Sequence, residues 1–153
     1  VIDMPPGTGD VQLTLAQIVP VTGAVIVTTP QEVALADARK AISFFNMETV
    51  KIPIIGIVEN MAYFTPAELP DNKYYIFGKD GGKQLAEEYN VPFIGEVPLV
   101  QDIREGGDMG IPVVLEENTI SSNAFVNISS NVARNIVVAN AEIEARSLSV
   151  NKN

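Results

Sequence analysis

GAVIVTT, residues 23–29, decides the fold. It is an unbroken β-branched run closed by Pro30, the pattern of a central parallel strand buried on both faces. Residues 32–46 follow with Val33, Ala36, Ile42 and Phe45 at helical spacing. PIIGIVENM, residues 53–61, is a second apolar strand, and residues 93–97 before Pro98 form a third. A helix at 81–89 separates those two strands. Strands alternating with helices of this length require crossover connections, so the fold class is α/β with a mostly parallel sheet flanked by helices.

The remaining stretches are weaker signals. Asp10 can cap a helix to about Val19, with Val11, Leu13, Leu15, Ile18 and Val19 as its apolar surface. Residues 62–73 read as a Pro-containing loop, 74–77 as a short extended piece and 102–108 as helix. Residues 111–115 read as a short strand or extended loop. Asn118 or Thr119 can cap a long helix at about 119–146, with Ala124, Phe125, Ile128, Val132, Ile136 and Ile143 along one side. The last residues, 147–153, look frayed. No repeat or linker divides the 153 residues.

The opening stretch, VIDMPPGTGD (1–10), carries the chemistry. Residues 1–3 read as the end of an apolar strand that terminates in Asp3. A carboxylate at the carboxyl end of a parallel strand is where α/β proteins hold Mg²⁺ and phosphates, although it can equally cap a loop. The stiff Pro5-Pro6-Gly7-Thr8-Gly9 exit and Asp10 favour the metal reading, since such a turn lets backbone N–H groups approach an anion. So abrupt a start leads us to expect that the chain is the C-terminal part of a longer protein, truncated at its N-terminus. Gly7-Thr8-Gly9 lacks the spacing and the lysine of a phosphate loop, and Gly81-Gly82-Lys83 reads as a helix start. Asn60, just past a strand end, can pair with an adenine edge or simply form a turn. Pro98, at the next strand end, places a main-chain carbonyl where it could meet the same base.

Composition removes whole classes of function. There is no Cys and no His, which excludes thiol catalysis, zinc sites and a His-based triad within this chain. With 10 basic against 19 acidic residues the formal charge is −9, and no Lys/Arg cluster exceeds a dipeptide, so no nucleic-acid surface is expected. No apolar run reaches the roughly 20 residues of a membrane span. No secretory signal is visible, and a cytoplasmic setting is expected.

The blocks VIDMPPGTGDVQLTL, GAVIVTTPQEVALADARKAISFF, IVENMAYF, IFGKDGGKQLAEE and PLVQDIREGGDMGIPVV together resemble the Mrp/ApbC family. These are deviant P-loop ATPases related to MinD and ParA and implicated in iron–sulfur cluster carriage. The resemblance spans residues 1 to about 139 and implies that residues 1–153 are the C-terminal part of a single P-loop NTPase domain. It implies ATP and Mg²⁺ as cofactors, a homodimer, and iron–sulfur client or scaffold proteins as partners. On this resemblance Asp3 is similar to a Walker B aspartate, and Pro5, Gly7, Thr8, Gly9 and Asp10 to a γ-phosphate-sensing switch. Asn60 is similar to the adenine reader, and Pro98 and Leu99 to the backbone flanking the base. The family's phosphate loop would precede residue 1. Many relatives carry a Cys-x-x-Cys pair after the block matching residues 60–64; this chain has Thr65-Pro66-Ala67-Glu68-Leu69-Pro70-Asp71 there. Glu68 and Asp71 are hard oxygen donors and suit an exposed loop better than iron, so cluster binding by that route is in doubt. Two alternatives stand beside a cluster carrier: a MinD/ParA-like switch acting on a protein partner, and a non-enzymatic scaffold with a degenerate site.

Overall fold

The computed structural model describes residues 1–5, 7, 9–66, 68–69 and 71–150, with the side chains of 142–150 excepted. Among the described residues nine elements run in the order α1 (Asp10–Ile18), β1 (Ala24–Thr28), α2 (Glu32–Phe45), β2 (Ile54–Glu59), α3 (Gly81–Tyr89), β3 (Phe93–Glu96), α4 (Gln101–Met109), a 3-10 turn (Val113–Leu115) and α5 (Ile120–Val150). The sheet is three-stranded and parallel, in the order β1-β2-β3. The α/β reading, the three strands and the flanking helices therefore stand.

Two layers of side chains hold the sheet. On one face Ile26, Ile57, Leu35, Ala38, Ile42, Leu85 and Ala86 bring β1 and β2 against α2 and α3. On the other, Val58, Ile94 and Val97 meet Ile103 of α4 and Phe125, Ile128 and Val132 of α5. Ala124 and Ile136, also expected on the inner side of α5, are half-buried; the Ile143 side chain lies outside the described residues.

The long helix also mends the sheet. Each strand pair skips one residue: Ile55 lies between the Ala24↔Ile54 and Val25↔Gly56 pairs, and Ile94 between Ile57↔Phe93 and Val58↔Gly95. A skipped residue interrupts the ladder and leaves backbone polar groups to be satisfied elsewhere. The Nδ2 groups of Asn135 and Asn131 donate to the carbonyls of Ile55 and Ile94, each at 3.0 Å. The two asparagines stand one helical turn apart, so a single face of α5 reaches both. Thr119 caps that helix as expected, its hydroxyl accepting from Ser122 N–H at 3.0 Å. Ser121, fully buried, donates its hydroxyl hydrogen bond to Asp102 and ties α5 to α4.

Five expectations need correction. Residues 1–3 form no strand; they are exposed chain outside the sheet. Three residues offer too few ladder bonds to offset the entropy of ordering them without a neighbouring strand. Among the described residues β1 stands at the edge of the sheet, and only one of its faces is buried: Val25 and Val27 remain exposed. Gly9, not Asp10, occupies the N-cap position of α1, so Asp10 sits inside the first turn, where its charge favours the positive end of the helix. Residues 113–115 are a 3-10 turn rather than extended chain; Leu115 N–H closes onto the Pro112 carbonyl at 3.0 Å. Of the expected extended piece at 74–77, only Tyr74 forms a bridge, opposite Phe64.

Candidate functional site at the carboxyl rim of the sheet

Parallel strands deliver their carboxyl ends to one edge of the sheet, and ligands of open α/β folds bind beyond that edge. Here the rim consists of Thr28, Glu59-Asn60 and Glu96-Val97-Pro98. The main chain remains paired past the formal strand ends. Asn60 N–H donates to Thr28 C=O at 2.7 Å, Val97 N–H to Glu59 C=O at 2.8 Å and Ala62 N–H to Val97 C=O at 3.0 Å. Leu99 N–H then donates to Tyr63 C=O at 2.7 Å, and Leu99 pairs in parallel with Phe64. Asn60 and the Pro98-Leu99 pair therefore lie on adjacent, cross-linked rim segments, as their successive strand-end positions led us to expect.

Their environments differ usefully. Pro98 is fully buried and fixes the backbone; Asn60 and Leu99 are half-buried. The Asn60 side-chain carbonyl accepts from Met61 N–H at 2.9 Å, and Met61 takes a left-handed conformation with φ 54°. Asn60 is thus a turn former, and its amide NH₂ end is not consumed by that turn.

The opening segment is organised locally. Gln12, buried in α1, donates from Nε2 to Pro5 C=O at 3.1 Å and folds the loop back over its own helix. Gly7 has φ 94°, a conformation few other residues adopt. Asp3, Pro5, Gly7, Gly9 and Asp10 are exposed, while Thr8 lies outside the described residues. α1 packs extensively against no strand or other helix. Among the described residues no hydrogen bond or ion pair joins Asp3 or Asp10 to the Asn60–Pro98 rim. Nor do any three carboxylates converge on a possible metal position among them. The structure thus places Asn60 and Pro98 on neighbouring rim segments and joins neither Asp3 nor Asp10 to them by a hydrogen bond or ion pair among the described residues.

Sequence reasoning missed one rim residue. Glu59 ends β2 with 1% of its surface exposed, and its Oε2 accepts from Gly82 N–H at 2.5 Å. Burial raises its pKa above the ordinary carboxylate range; the Gly82 bond opposes this, and the nearby Glu96 and Asp80 charges reinforce it. The available signal was a single charge closing an otherwise apolar strand, which is ambiguous without the helix that meets it.

The donor chemistry can be tested against the implied ligands. An amide beside a fixed main chain suits the edge of a base. The carboxylates of Asp3 and Asp10 are hard oxygen donors suited to Mg²⁺. Nothing in the chain offers the thiolate or imidazole that iron in a cluster requires.

A parallel sheet covered by helices is an architecture shared by P-loop NTPases. Residues 1–136 match the family model described as ParA, NUBPL iron-transfer P-loop NTPase, and the chain belongs to that family. It is 49% identical over 140 residues to the iron–sulfur cluster carrier protein of Synechocystis sp., covering 91% of this chain and 39% of that protein. It is 44% identical over 137 residues to the iron–sulfur cluster transfer protein NUBPL of Mus musculus, covering 89% and 42%. A nucleotide-binding protein from Archaeoglobus fulgidus, solved in complex with ADP, superposes with a TM-score of 0.63 at 41% identity, covering 77% of this chain and 46% of that one. The cell division ATPase MinD of Pyrococcus furiosus shares the fold, with a TM-score of 0.53 at 23% identity over 74% of this chain and 43% of that one. The chain thus spans about two fifths of the length of the curated relatives it matches.

Proposed function

We propose that residues 1–153 are the C-terminal part of a single ATP-binding domain whose nucleotide cycle drives carriage of an iron–sulfur cluster in the cytoplasm. The observation that carries this reading is the placement of Asn60 and Pro98-Leu99 on adjacent segments of one rim, in a chain of the iron-transfer NTPase family. Asn60 donates from its amide to the adenine edge, and the buried Pro98 holds the adjoining main chain against the ring. Asp3 orients Mg²⁺, which supplies charge neutralisation at the phosphates. Pro5, Gly7, Thr8, Gly9 and Asp10 form the segment that responds to the terminal phosphate. Of these, Pro5, Gly7, Gly9 and Asp10 are exposed, which leaves them open to a ligand and to neighbouring elements. The phosphate-binding loop lies outside these residues, so the isolated chain does not turn over ATP. The working unit is a homodimer.

Cluster cargo needs ligands that this chain lacks, and they come from elsewhere in the protein or from a client. The same absence favours a second reading, a nucleotide switch that acts on a protein partner without a cluster. Anaerobic reconstitution of the full-length protein with iron and sulfide separates the two: bound iron and visible absorption support carriage, and their absence supports the switch.

The nucleotide site is tested in the full-length protein by Asn60→Ala. It is expected to weaken ATP by ~1–3 kcal/mol, the cost of leaving a buried polar group unpaired, and to weaken GTP less. Equal losses for both nucleotides would reduce Asn60 to its turn. In parallel, Asp3→Asn is expected to depress Mg²⁺-dependent hydrolysis more than nucleotide binding; unimpaired hydrolysis removes Asp3 from the metal site.

A further inference from the structure

The buried carboxylate next to Asn60 stands where the strand pattern calls for an apolar side chain. Ile55, Ile57 and Val58 are buried on the same strand, yet the residue that completes it is Glu59, at 1% exposure. Burying a carboxylate is costly, so a compensating contact must be present. That contact is the Gly82 N–H in the first turn of α3, where backbone donors have no helical partner and the helix end is positive.

The helix needs this contact. Asp80 occupies the N-cap position of α3 in a left-handed conformation, φ 60°, and its side chain makes no cap bond. Glu59 supplies the missing acceptor from another element. Two glycines make the approach possible. A Cβ on Gly81 would lie 2.7 Å from the Pro30 carbonyl oxygen, and one on Gly82 would lie 3.1 Å from Glu59 Cβ and 3.2 Å from Oε2. The start of α3 therefore abuts the ends of both β1 and β2. The main chain around Glu59 is bound to β1 through Asn60 N–H on Thr28 and to β3 through Val97 N–H on Glu59 C=O. Four elements meet at one residue, and the next residue is Asn60.

We propose that Glu59 is a positioning residue for the nucleotide-base site: its carboxylate clamps the carboxyl end of β2 to the N-terminus of α3 and thereby fixes the Asn60 amide on the rim. The inference rests on the reading that Asn60 selects adenine. A purely structural carboxylate would set how stable the protein is. A positioning carboxylate also sets how well one base is told from another, and that ratio, measured within a single variant, cancels a general loss of stability.

The test uses the full-length protein, with ATP and GTP dissociation constants measured by calorimetric titration for wild type, Glu59→Gln, Glu59→Leu and Asn60→Ala. Gln retains an oxygen acceptor for Gly82 N–H and is expected to keep the wild-type ATP preference within about twofold, whereas Leu fills the space without an acceptor and is expected to lose about fivefold or more of it. Should Glu59→Leu fail to melt cooperatively, Gly82→Ala takes its place. That substitution leaves the carboxylate present but crowds it, so that it must give by a few tenths of an ångström, and it is expected to lower the preference in the same direction. If Asn60→Ala abolishes the preference while Glu59→Leu, or its replacement, retains it, the positioning role is overturned and the base-reading role survives. If Asn60→Ala leaves the preference intact, the base-reading role fails and this inference fails with it.

Discussion

β1 and β2 are both apolar runs rich in β-branched residues and end in different surroundings. AVIVT and IIGIVE are paired so that Ile26 lies beside Ile57 and Val27 beside Val58. On the face shared with α2 and α3 the partners match, with Ile26 and Ile57 both buried. On the opposite face they do not: Val58 is 5% exposed and Val27 is 61% exposed. The difference comes from α5, which packs on β2 and β3 and stops short of β1. A continuous β-branched run states that a strand suits burial on two sides. It does not state what supplies the second side. The same division runs through the candidate site: the Asn60–Pro98 half belongs to the covered strands, and the Asp3–Asp10 half stands apart with α1.

The comparison breaks most severely if β2 is not the energetic centre of the sheet. Ile57 is fully buried in the layer between the sheet and helices α2 and α3, so Ile57→Ala removes buried methyl and methylene groups and opens a cavity. A loss of ~2–5 kcal/mol is expected, read as a lower urea midpoint with an unchanged slope. A cost below ~1 kcal/mol would mean that the layers collapse freely around β2.

A smaller effect sharpens the role of α5. Asn135→Ala strands the Ile55 carbonyl at the point where the β1–β2 ladder skips a residue. The expected loss is ~1–3 kcal/mol, with the low end favoured because Asn135 is half-buried and water can enter. Asn131→Ala acts on Ile94, a different carbonyl. Its effect is expected to add to the first within ~0.5 kcal/mol in a double-mutant cycle. Strong coupling between the two would show that the helix moves as a unit rather than through separate bonds.

How much of this was legible follows from the range of the forces involved. The alternation of strands and helices is local and regular, and it gave the parallel sheet and the adjacency of Asn60 to Pro98. The skipped residues Ile55 and Ile94 left no local mark, because they are defined by register between strands. Residues 1–3 look like a strand, but a strand exists only against a neighbour. Glu59 was hidden for the same reason: its partner, Gly82, is 23 residues away and was visible only as the start of a helix. The roles of Asp3 and Asp10 rest on chemical type and family resemblance, since among the described residues no hydrogen bond or ion pair joins either to the rim.

The smallest stability change expected carries the sharpest test of the uncovered face. Val27 pairs with the buried Val58 but is itself exposed, so Val27→Lys costs the chain 1–153 no desolvation and little packing. Its unfolding free energy is expected to shift by less than ~0.5 kcal/mol. Association behaves differently. β1 presents an open edge and an apolar face bearing Val25 and Val27, and such an edge pairs with another copy unless a charge discourages it. The unsubstituted chain is therefore expected to self-associate as concentration rises, and the lysine variant to remain monomeric. Size-exclusion chromatography with light scattering over a dilution series measures both. A clean monomer from the unsubstituted chain at high concentration would show that the open face of β1 is tolerated. A Val27→Lys cost comparable to that of Ile57→Ala would show that this face is covered in solution, and the contrast between the two strands would disappear.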